Sequence, residues 1–576
     1  MKYLLLFLLT FVITVIILQD TIFKTQWRSS TPSSVTYGYR QSTKKLSPYD
    51  VCELPAFKAW NEDVLKDAES DSDSKCVPTS SVTTVENRIL RVNDPEYSCK
   101  YRCFEYESER KVSYWKYRDV AEDGSKLFCE FVDVRCTSTV DKKVISELHT
   151  QILTKEPLTK VIQSKKYNVY VVLVDSTSRH QAYRNFPKTV DLLKTKFEAV
   201  DVKYLNKIAL NSRPNALAFW FNKQMYSNRR ELMGSPTTKS DVGYSYSESC
   251  RRFLDNTTSV FSEFRNKGYL TLMAEDCNKP VLLWPECAPK FGWSWFTTFS
   301  HDHQFSSAKY DSFFEKMLLD HQKEFDNSFF IFMGDHGLRF GEYAKTTQGA
   351  FETSNPMMFM SIPKELRETT SRLRILKTNG ERLQTHFDVF HTLTDIAGRN
   401  DEFDWIDDEL LPTKTGSSLL RKQSSVARTC KSLNIPLEYC MCSLQKKPAD
   451  RSSETARKLG TFVLEEVWKK IEQHNGTRLC QPFALQEVVK LNQLPSMSPT
   501  LRAYQMLIQA TSPSQAVFST TVYEKLTGSN STFEIVGGID RIDAYGKQGY
   551  CISYTVEHFC YCKKQLANNK NSAGWK

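Results

Sequence analysis

Phe329-Phe330-Ile331-Phe332-Met333-Gly334-Asp335-His336-Gly337 joins an unbroken apolar run to an acid and an imidazole set between glycines. A strand covered on both faces reads as a continuous hydrophobic run, and ligands in open α/β sheets gather beyond the carboxyl ends of such strands. The stretch therefore predicts a buried strand of a mostly parallel sheet, with Asp335 and His336 at its functional end. A carboxylate beside an imidazole suits a divalent metal such as zinc. The flanking glycines are expected to let the backbone turn sharply and approach a ligand closely. Taken alone, the tetrapeptide also fits an ordinary turn with a surface histidine, a reading that the rest of the chain weakens.

Upstream, Asn168-Val169-Tyr170-Val171-Val172-Leu173-Val174-Asp175-Ser176 is a second run rich in β-branched residues, and it too ends in an acid. Two strands delivering carboxylates at the same end can aim them at one point. Between them, Asn211-Ser212-Arg213-Pro214-Asn215-Ala216 is a polar turn opening into a helical pattern, with Pro214 suited to a first helical turn and Ser212 at or just before the cap. An anion there would meet free N–H groups and the positive end of the helix dipole. Gln384-Thr385-His386-Phe387-Asp388 reads as a loop entering an amphipathic helix, with His386 at its start. Each residue has a plain alternative: Ser212 as a helix cap, His386 as a packed core histidine, Asp175 as a strand terminator. Those alternatives do not account for the joint pattern.

The order strand-Asp, Asn-Ser-x-Pro-Asn opening a helix, Gly-Asp-His-Gly after a strand, then Thr-His-x-Asp resembles the alkaline phosphatase and sulfatase superfamily. More closely, it resembles an animal sulfatase-like family of unknown function that is abundant in nematodes. The likeness spans roughly residues 165 to 425. It implies an alkaline phosphatase-like core, metal ligands at Asp175, Asp335 and His336, a nucleophile and metal contact at Ser212, and a second-metal ligand at His386. His301, in Ser300-His301-Asp302-His303, is similar to the remaining imidazole ligand, although Asp302 or His303 could each take its place. The metals so implied are divalent: zinc first, with manganese or calcium as alternatives.

One departure is informative. Sulfate ester hydrolases resemble one another in a Cys or Ser, any residue, Pro, any residue, Arg signature, and here Ala216 stands where the Arg would be. The expected activity is thus hydrolysis of phosphate esters or diesters through a serine nucleophile. A serine hydroxyl is a weak nucleophile at neutral pH, and coordination to a metal shifts it toward the alkoxide. Sulfate ester hydrolysis or phosphoethanolamine-type transfer is the alternative on the same fold. A catalytically degenerate cell-surface binding protein is the alternative from another class.

Met1-Lys2 precedes an apolar run over residues 3–18, short for a membrane span and about right for an export signal, with no Ala-x-Ala-like cleavage site after it. We expect either a single-pass type II signal anchor or a cleaved signal peptide, and in both cases a lumenal or extracellular bulk. Sixteen cysteines fit an exporting compartment, where disulfides are the default and their pairing is not readable from sequence. The single-residue spacing of Cys440-Met441-Cys442 and Cys560-Tyr561-Cys562 is poor for structural zinc. Asn256, Asn475 and Asn530 open glycosylation sequons.

The 576 residues divide into an anchor or signal with a stem (1–48), a cysteine-rich N-terminal region (49–160), an α/β catalytic domain (161–425) and a cysteine-containing α+β region (426–576). Helical patterns at 188–199, 259–267 and 311–325 alternate with the strands of the core, and further ones fall at 454–473. Extended candidates lie at 516–523 and 550–558. The formal net charge of +10 comes from scattered residues, 77 Lys and Arg against 67 Asp and Glu. Together with the export signal this argues against a nucleic-acid partner and for mild attraction of an anionic ester substrate. Trp284, Trp293 and Trp295 read as core.

Overall fold

The computed structural model describes residues 47–70, 81–108, 111–151, 153, 167–243, 254, 256–276, 292–301, 303–399, 413, 415–528, 530–543, 548–552 and 556–563. The N-terminal apolar run, Cys76, Cys250, Cys277, Cys287, Trp284 and Asp302 lie outside the described residues. Among the described residues no helix is long and apolar enough to cross a membrane.

The two diagnostic runs are neighbouring strands at the centre of a six-stranded sheet. In chain order its members are β1 (Asn168–Val174), β2 (Val200–Asp201), β3 (Met273–Glu275), β4 (Trp293–Phe296), β5 (Ser328–Met333) and β6 (Met358–Ser361), and they lie in the order β2-β6-β5-β1-β4-β3. The pairs β5–β1, β1–β4 and β4–β3 are parallel, while β6 and β2 add an antiparallel edge. Side chains alternate across a strand, which explains why both central strands are apolar after their first residue. Val171, Leu173, Phe329, Ile331 and Met333 enter one buried cluster. Val172, Val174, Phe330 and Phe332 enter another on the opposite face.

Helices cover both faces. The first cluster is closed by α3 (Ser212–Phe221), α4 (Val260–Asn266) and α6 (His386–Gly398). The second is closed by α1 (Arg179–Asn185), α2 (Pro187–Thr195) and α5 (Asp311–Asp320). Trp293 and Trp295 are fully buried among these aromatic residues. The helical pattern read as continuous over 311–325 is broken at His321, between α5 and a short helix Gln322–Asp326.

Outside the core, the N-terminal region is mainly antiparallel, with Tyr97–Ser108 and Phe131–Ser138 pairing in register and cross-linked by Cys99–Cys136 and Cys103–Cys129. Cys52–Cys442 ties the start of the described chain to the segment after the core, beside Cys430–Cys440. The C-terminal region lays α7 (Glu454–Gln473) on an antiparallel sheet containing β7 (Leu485–Leu494), β8 (Leu501–Ala510), β9 (Val517–Thr527) and β10 (Asn530–Arg541). The extended segment expected at 550–558 is instead turn and a 3-10 turn at Glu557–Phe559 in its described part. Cys551–Cys562 and Cys480–Cys560 pin it in place of sheet pairing. Cys440, Cys442, Cys560 and Cys562 are thereby all committed to disulfides. The six disulfides among the described residues fit a secreted or lumenal chain.

Candidate metal and nucleophile site

Parallel pairing sets the site. Met333 of β5 lies opposite Leu173 of β1, and the same register continued by two residues puts Asp335 beside Asp175. Gly334 and Gly337 allow this by close backbone contact rather than by approach to a ligand. A Cβ on Gly334 would sit 2.4 Å from the Thr177 carbonyl oxygen, and one on Gly337 would sit 2.1 Å from that of Glu352. Neither separation is physically tenable, so Gly334 lets the loop after β5 press on the loop after β1, and Gly337 lets it press on the helix Thr347–Ser354.

Oxygen and nitrogen atoms of Asp175, Asp335 and His336 come within 4.8 Å of one another in a buried cluster. His336 Nε2 lies 3.3 Å from Asp335 Oδ2 and 3.9 Å from Asp175 Oδ1. Ser212 Oγ is 3.3 Å from both Asp175 Oδ2 and His336 Nε2. Ser212 is the first residue of α3, preceded by Asn211 as an N-cap that makes no side-chain capping bond. The loop leading to it is held from below by Asn215, whose Oδ1 accepts from the Ile208 and Ala209 amides and whose Nδ2 donates to the Ala209 carbonyl.

Burial dominates the electrostatics. It raises the Asp335 carboxyl above its usual range and pushes the His336 and His386 imidazoles down to about 3. Both rings are therefore neutral near pH 7, the form in which imidazole ligates metals. Asp335 Oδ2 and both ring nitrogens of His386 are buried without a hydrogen-bond partner among the described residues. Leaving such atoms unsatisfied costs about 1–3 kcal/mol each. Two carboxylates and two neutral imidazoles, that of His386 without a hydrogen-bond partner among the described residues, fit a divalent cation.

His386 opens α6, outside the 4.8 Å group but within electrostatic reach of His336 and against the Asp335 backbone. Its position is fixed by Asp388, whose carboxylate accepts from the Thr385 amide at 2.6 Å, the Ser417 amide at 2.6 Å and Arg428 Nη2 at 2.6 Å. His301 is not drawn into the group. It is half-buried, with its ring edge-on to Phe340 at 5.6 Å. His303, the stand-in for it, is exposed.

Sequence reasoning missed the residues that orient Asp175. Trp295 Nε1 and Thr297 Oγ1 donate to its Oδ2 at 3.2 and 3.3 Å, and Ser176 Oγ donates to its Oδ1 at 2.9 Å. Ser176 also gives its amide to Asp335 Oδ1 at 3.1 Å from a left-handed backbone, φ +56°. A non-glycine residue held there stores strain of the kind that gathers at functional sites. Trp295 and Thr297 lie 120 and more residues from Asp175, and only their place at the end of β4, next to β1, could have flagged them.

The family described as a protein of unknown function (DUF229) matches over residues 61–288 and 286–489. The chain belongs to DUF229. No curated protein matches this DUF229 chain significantly. Among solved structures it is similar to a protein in the alkaline phosphatase superfamily from Vibrio parahaemolyticus, with 11% identity over 65% of this chain and 83% of that one, TM-score 0.29. A phosphonate monoester hydrolase from Silicibacter pomeroyi shows 9% identity over 63% and 90%, TM-score 0.30. The lipoteichoic acid synthase LtaP from Listeria monocytogenes shows 10% identity over 68% and 88%, TM-score 0.27. Overlaps this partial transfer no residue role to the DUF229 chain.

Proposed function

We propose that this protein is a metal-dependent hydrolase of phosphate esters or diesters that uses Ser212 as a covalent nucleophile. The observation that carries the reading is the contact of Ser212 Oγ with Asp175 Oδ2 and His336 Nε2, at 3.3 Å each, beside the vacant Asp335 Oδ2. Asp175, Asp335 and His336 would hold a divalent cation, zinc by its donor set or else manganese or calcium, with His386 presented toward a second. A cation so held would supply Lewis-acid polarisation of the phosphoryl oxygens and lower the pKa of the serine hydroxyl.

The chain's own groups support the remaining chemistry. Asp175 Oδ2 receives the Ser212 hydroxyl proton, so Oγ presents a lone pair to phosphorus. The Ser212 Oγ–phosphorus bond forms as the bond from phosphorus to the ester oxygen breaks, and the ester oxygen leaves as the alcohol by taking a proton from solvent, to which Asp175 returns the one it accepted. Water then displaces Ser212 from phosphorus, one of its protons restoring the hydroxyl, and releases phosphate from a monoester or a phosphate monoester from a diester. The start of α3 favours the added negative charge.

Against sulfate ester hydrolysis stands Ala216, which is fully buried in α3 and offers no cation at that position. Assaying phosphate and sulfate esters side by side with the purified full chain tests the reading. Phosphate ester turnover that Ser212→Ala abolishes supports it. Efficient sulfate turnover, or near-normal phosphate turnover in Ser212→Ala, overturns it.

A further inference from the structure

The loops that carry the candidate ligands both rest on one stretch of chain. Asp175 opens the loop from β1 to α1, and Asp335 and His336 lie in the loop after β5. The helix Thr347–Ser354 and the residues that lead from it into β6 hydrogen-bond to both loops. On the β1 side the Arg179 amide donates to the Asn355 carbonyl at 2.9 Å, and the Met357 amide to the Thr177 carbonyl at 3.1 Å. On the β5 side the Gly334 amide donates to the Met357 carbonyl at 2.9 Å and the Gly337 amide to the Thr353 carbonyl at 3.1 Å.

Glu352 is the charged, buried member of that helix, 3% exposed, and its backbone carbonyl is the one against which Gly337 packs. Its carboxylate accepts both arms of Arg184 in α1, Nη1 on Oε1 at 3.0 Å and Nη2 on Oε2 at 2.6 Å, and the Ser178 hydroxyl on Oε2 at 2.8 Å. Tyr343 and Gln348 donate to Oε1 at 2.6 and 3.1 Å. Burial pushes this carboxyl up, but the Arg184 guanidinium brings it below the usual carboxylate range, so it is ionised near pH 7. Bidentate, charge-assisted contacts of this kind are strong and directional. Arg184 and Gln348 also donate to the carbonyls of Ala59 and Lys58, at 2.7 and 2.6 Å, so the chain ahead of the N-terminal strands completes the network.

Among the described residues the Glu352 carboxylate bonds to none of Asp175, Ser212, Asp335 and His336. It joins instead Ser178, three residues past Asp175 and the N-cap of α1, to the helix that holds Gly337, the residue after His336. Strand pairing of β1 with β5 ends at Leu173 and Met333. Beyond that pair the spacing of the two loops depends on contacts such as these. Ligands on two separate loops keep a common centre only while that spacing holds, and outer partners of this kind tune metal affinity.

We propose that Glu352 is a positioning residue for the candidate metal site: through Ser178 and Arg184 its carboxylate holds the loop of Asp175 in place against the loop of Asp335 and His336. The proposal rests on the reading of those three residues as metal ligands and is independent of Ser212 as nucleophile.

Zinc affinity of the purified full chain, read by competition with a chromophoric chelator, tests it beside the unfolding midpoint of each metal-free protein. Ser178→Ala leaves the Arg184–Glu352 pair in place while removing the hydroxyl that bonds Glu352 and caps α1. It is expected to weaken zinc binding by on the order of tenfold, and Ser178→Thr, which keeps the hydroxyl, to restore it. Glu352→Gln, which spares the cap, should weaken binding at least as much. Tyr343→Phe removes a bond to the same carboxylate from outside both loops and should leave zinc affinity near that of the parent, whatever its midpoint. Affinity that falls in step with the midpoint whichever bond is removed marks a purely structural Glu352 and overturns the proposal. So does unchanged affinity in both Ser178→Ala and Glu352→Gln. Where Glu352→Gln fails to fold, Ser178→Ala against Tyr343→Phe decides. A parent that binds no zinc overturns the metal reading and this proposal together, whereas a parent that binds it beside unaffected variants overturns the proposal alone.

Discussion

The central sheet and the regions flanking it are held together by different physics. In the sheet, β1 and β5 are buried on both faces, and the described residues between 167 and 399 contain no disulfide. In the N-terminal region the strand Val144–Thr150 alternates exposed and half-buried residues, and two disulfides cross-link the neighbouring strand pair. Where apolar surface is plentiful, packing alone fixes strand register, and with it the position of two carboxylates at the strand ends. Where it is scarce, covalent cross-links take over. The candidate chemistry sits on the first kind of structure.

Replacing Ser212 by Ala should have the largest effect. Turnover is expected to fall by on the order of a thousandfold or more, with the melting temperature nearly unchanged, as read by steady-state assay and calorimetry. Within the sheet, Phe332→Ala removes a ring that Phe186 and Phe314 meet edge-on or tilted. It should cost about 3–5 kcal/mol in denaturant unfolding and carry activity down with the fold. In the flank, Cys103→Ser with Cys129→Ser should cost about 2–4 kcal/mol, yet leave kcat of the surviving folded protein near that of the parent. If kcat instead fell as sharply as in the core variant, the division between the two regions would not hold.

The smallest expected effect concerns His558 in the C-terminal region, whose imidazole burial and the nearby Arg339 and Arg541 push down to about 4. An unfolded chain protonates this ring near pH 6.5, while the folded one resists until about 4. Stability of that region should therefore fall as pH drops through 6.5 and continue falling to about 4. Monitored by hydrogen exchange, His558→Gln should flatten this slope. An unchanged slope would remove His558 from the account.

The core was legible because residues 168–174 and 329–333 admit no amphipathic reading, so both had to be buried strands with Asp175, Asp335 and His336 just past their ends. Ser212 and His386 were legible as polar residues opening helices. The shell around Asp175 was not, since Trp295 and Thr297 become its neighbours only once β4 pairs with β1. His301 lies outside the Asp175, Asp335 and His336 group, and nothing local says which of several polar residues after a strand a loop will present. Disulfide pairing among sixteen cysteines depends on tertiary contacts that carry no local pattern. The segment at 550–558 misled because β-branched and aromatic residues suit a strand, whereas disulfides at Cys551 and at nearby Cys560 hold its described part as turns.

The most direct test of the central claim is the divalent metal content of the purified full chain beside that of Asp335→Asn, measured by mass spectrometry with circular dichroism to show that both fold. Convergence of Asp175, Asp335 and His336 on a cation predicts at least stoichiometric metal in the parent and its loss in the variant. A folded parent that takes up no divalent metal when zinc, manganese and calcium are supplied, or a variant that retains the parent's full complement, would contradict it.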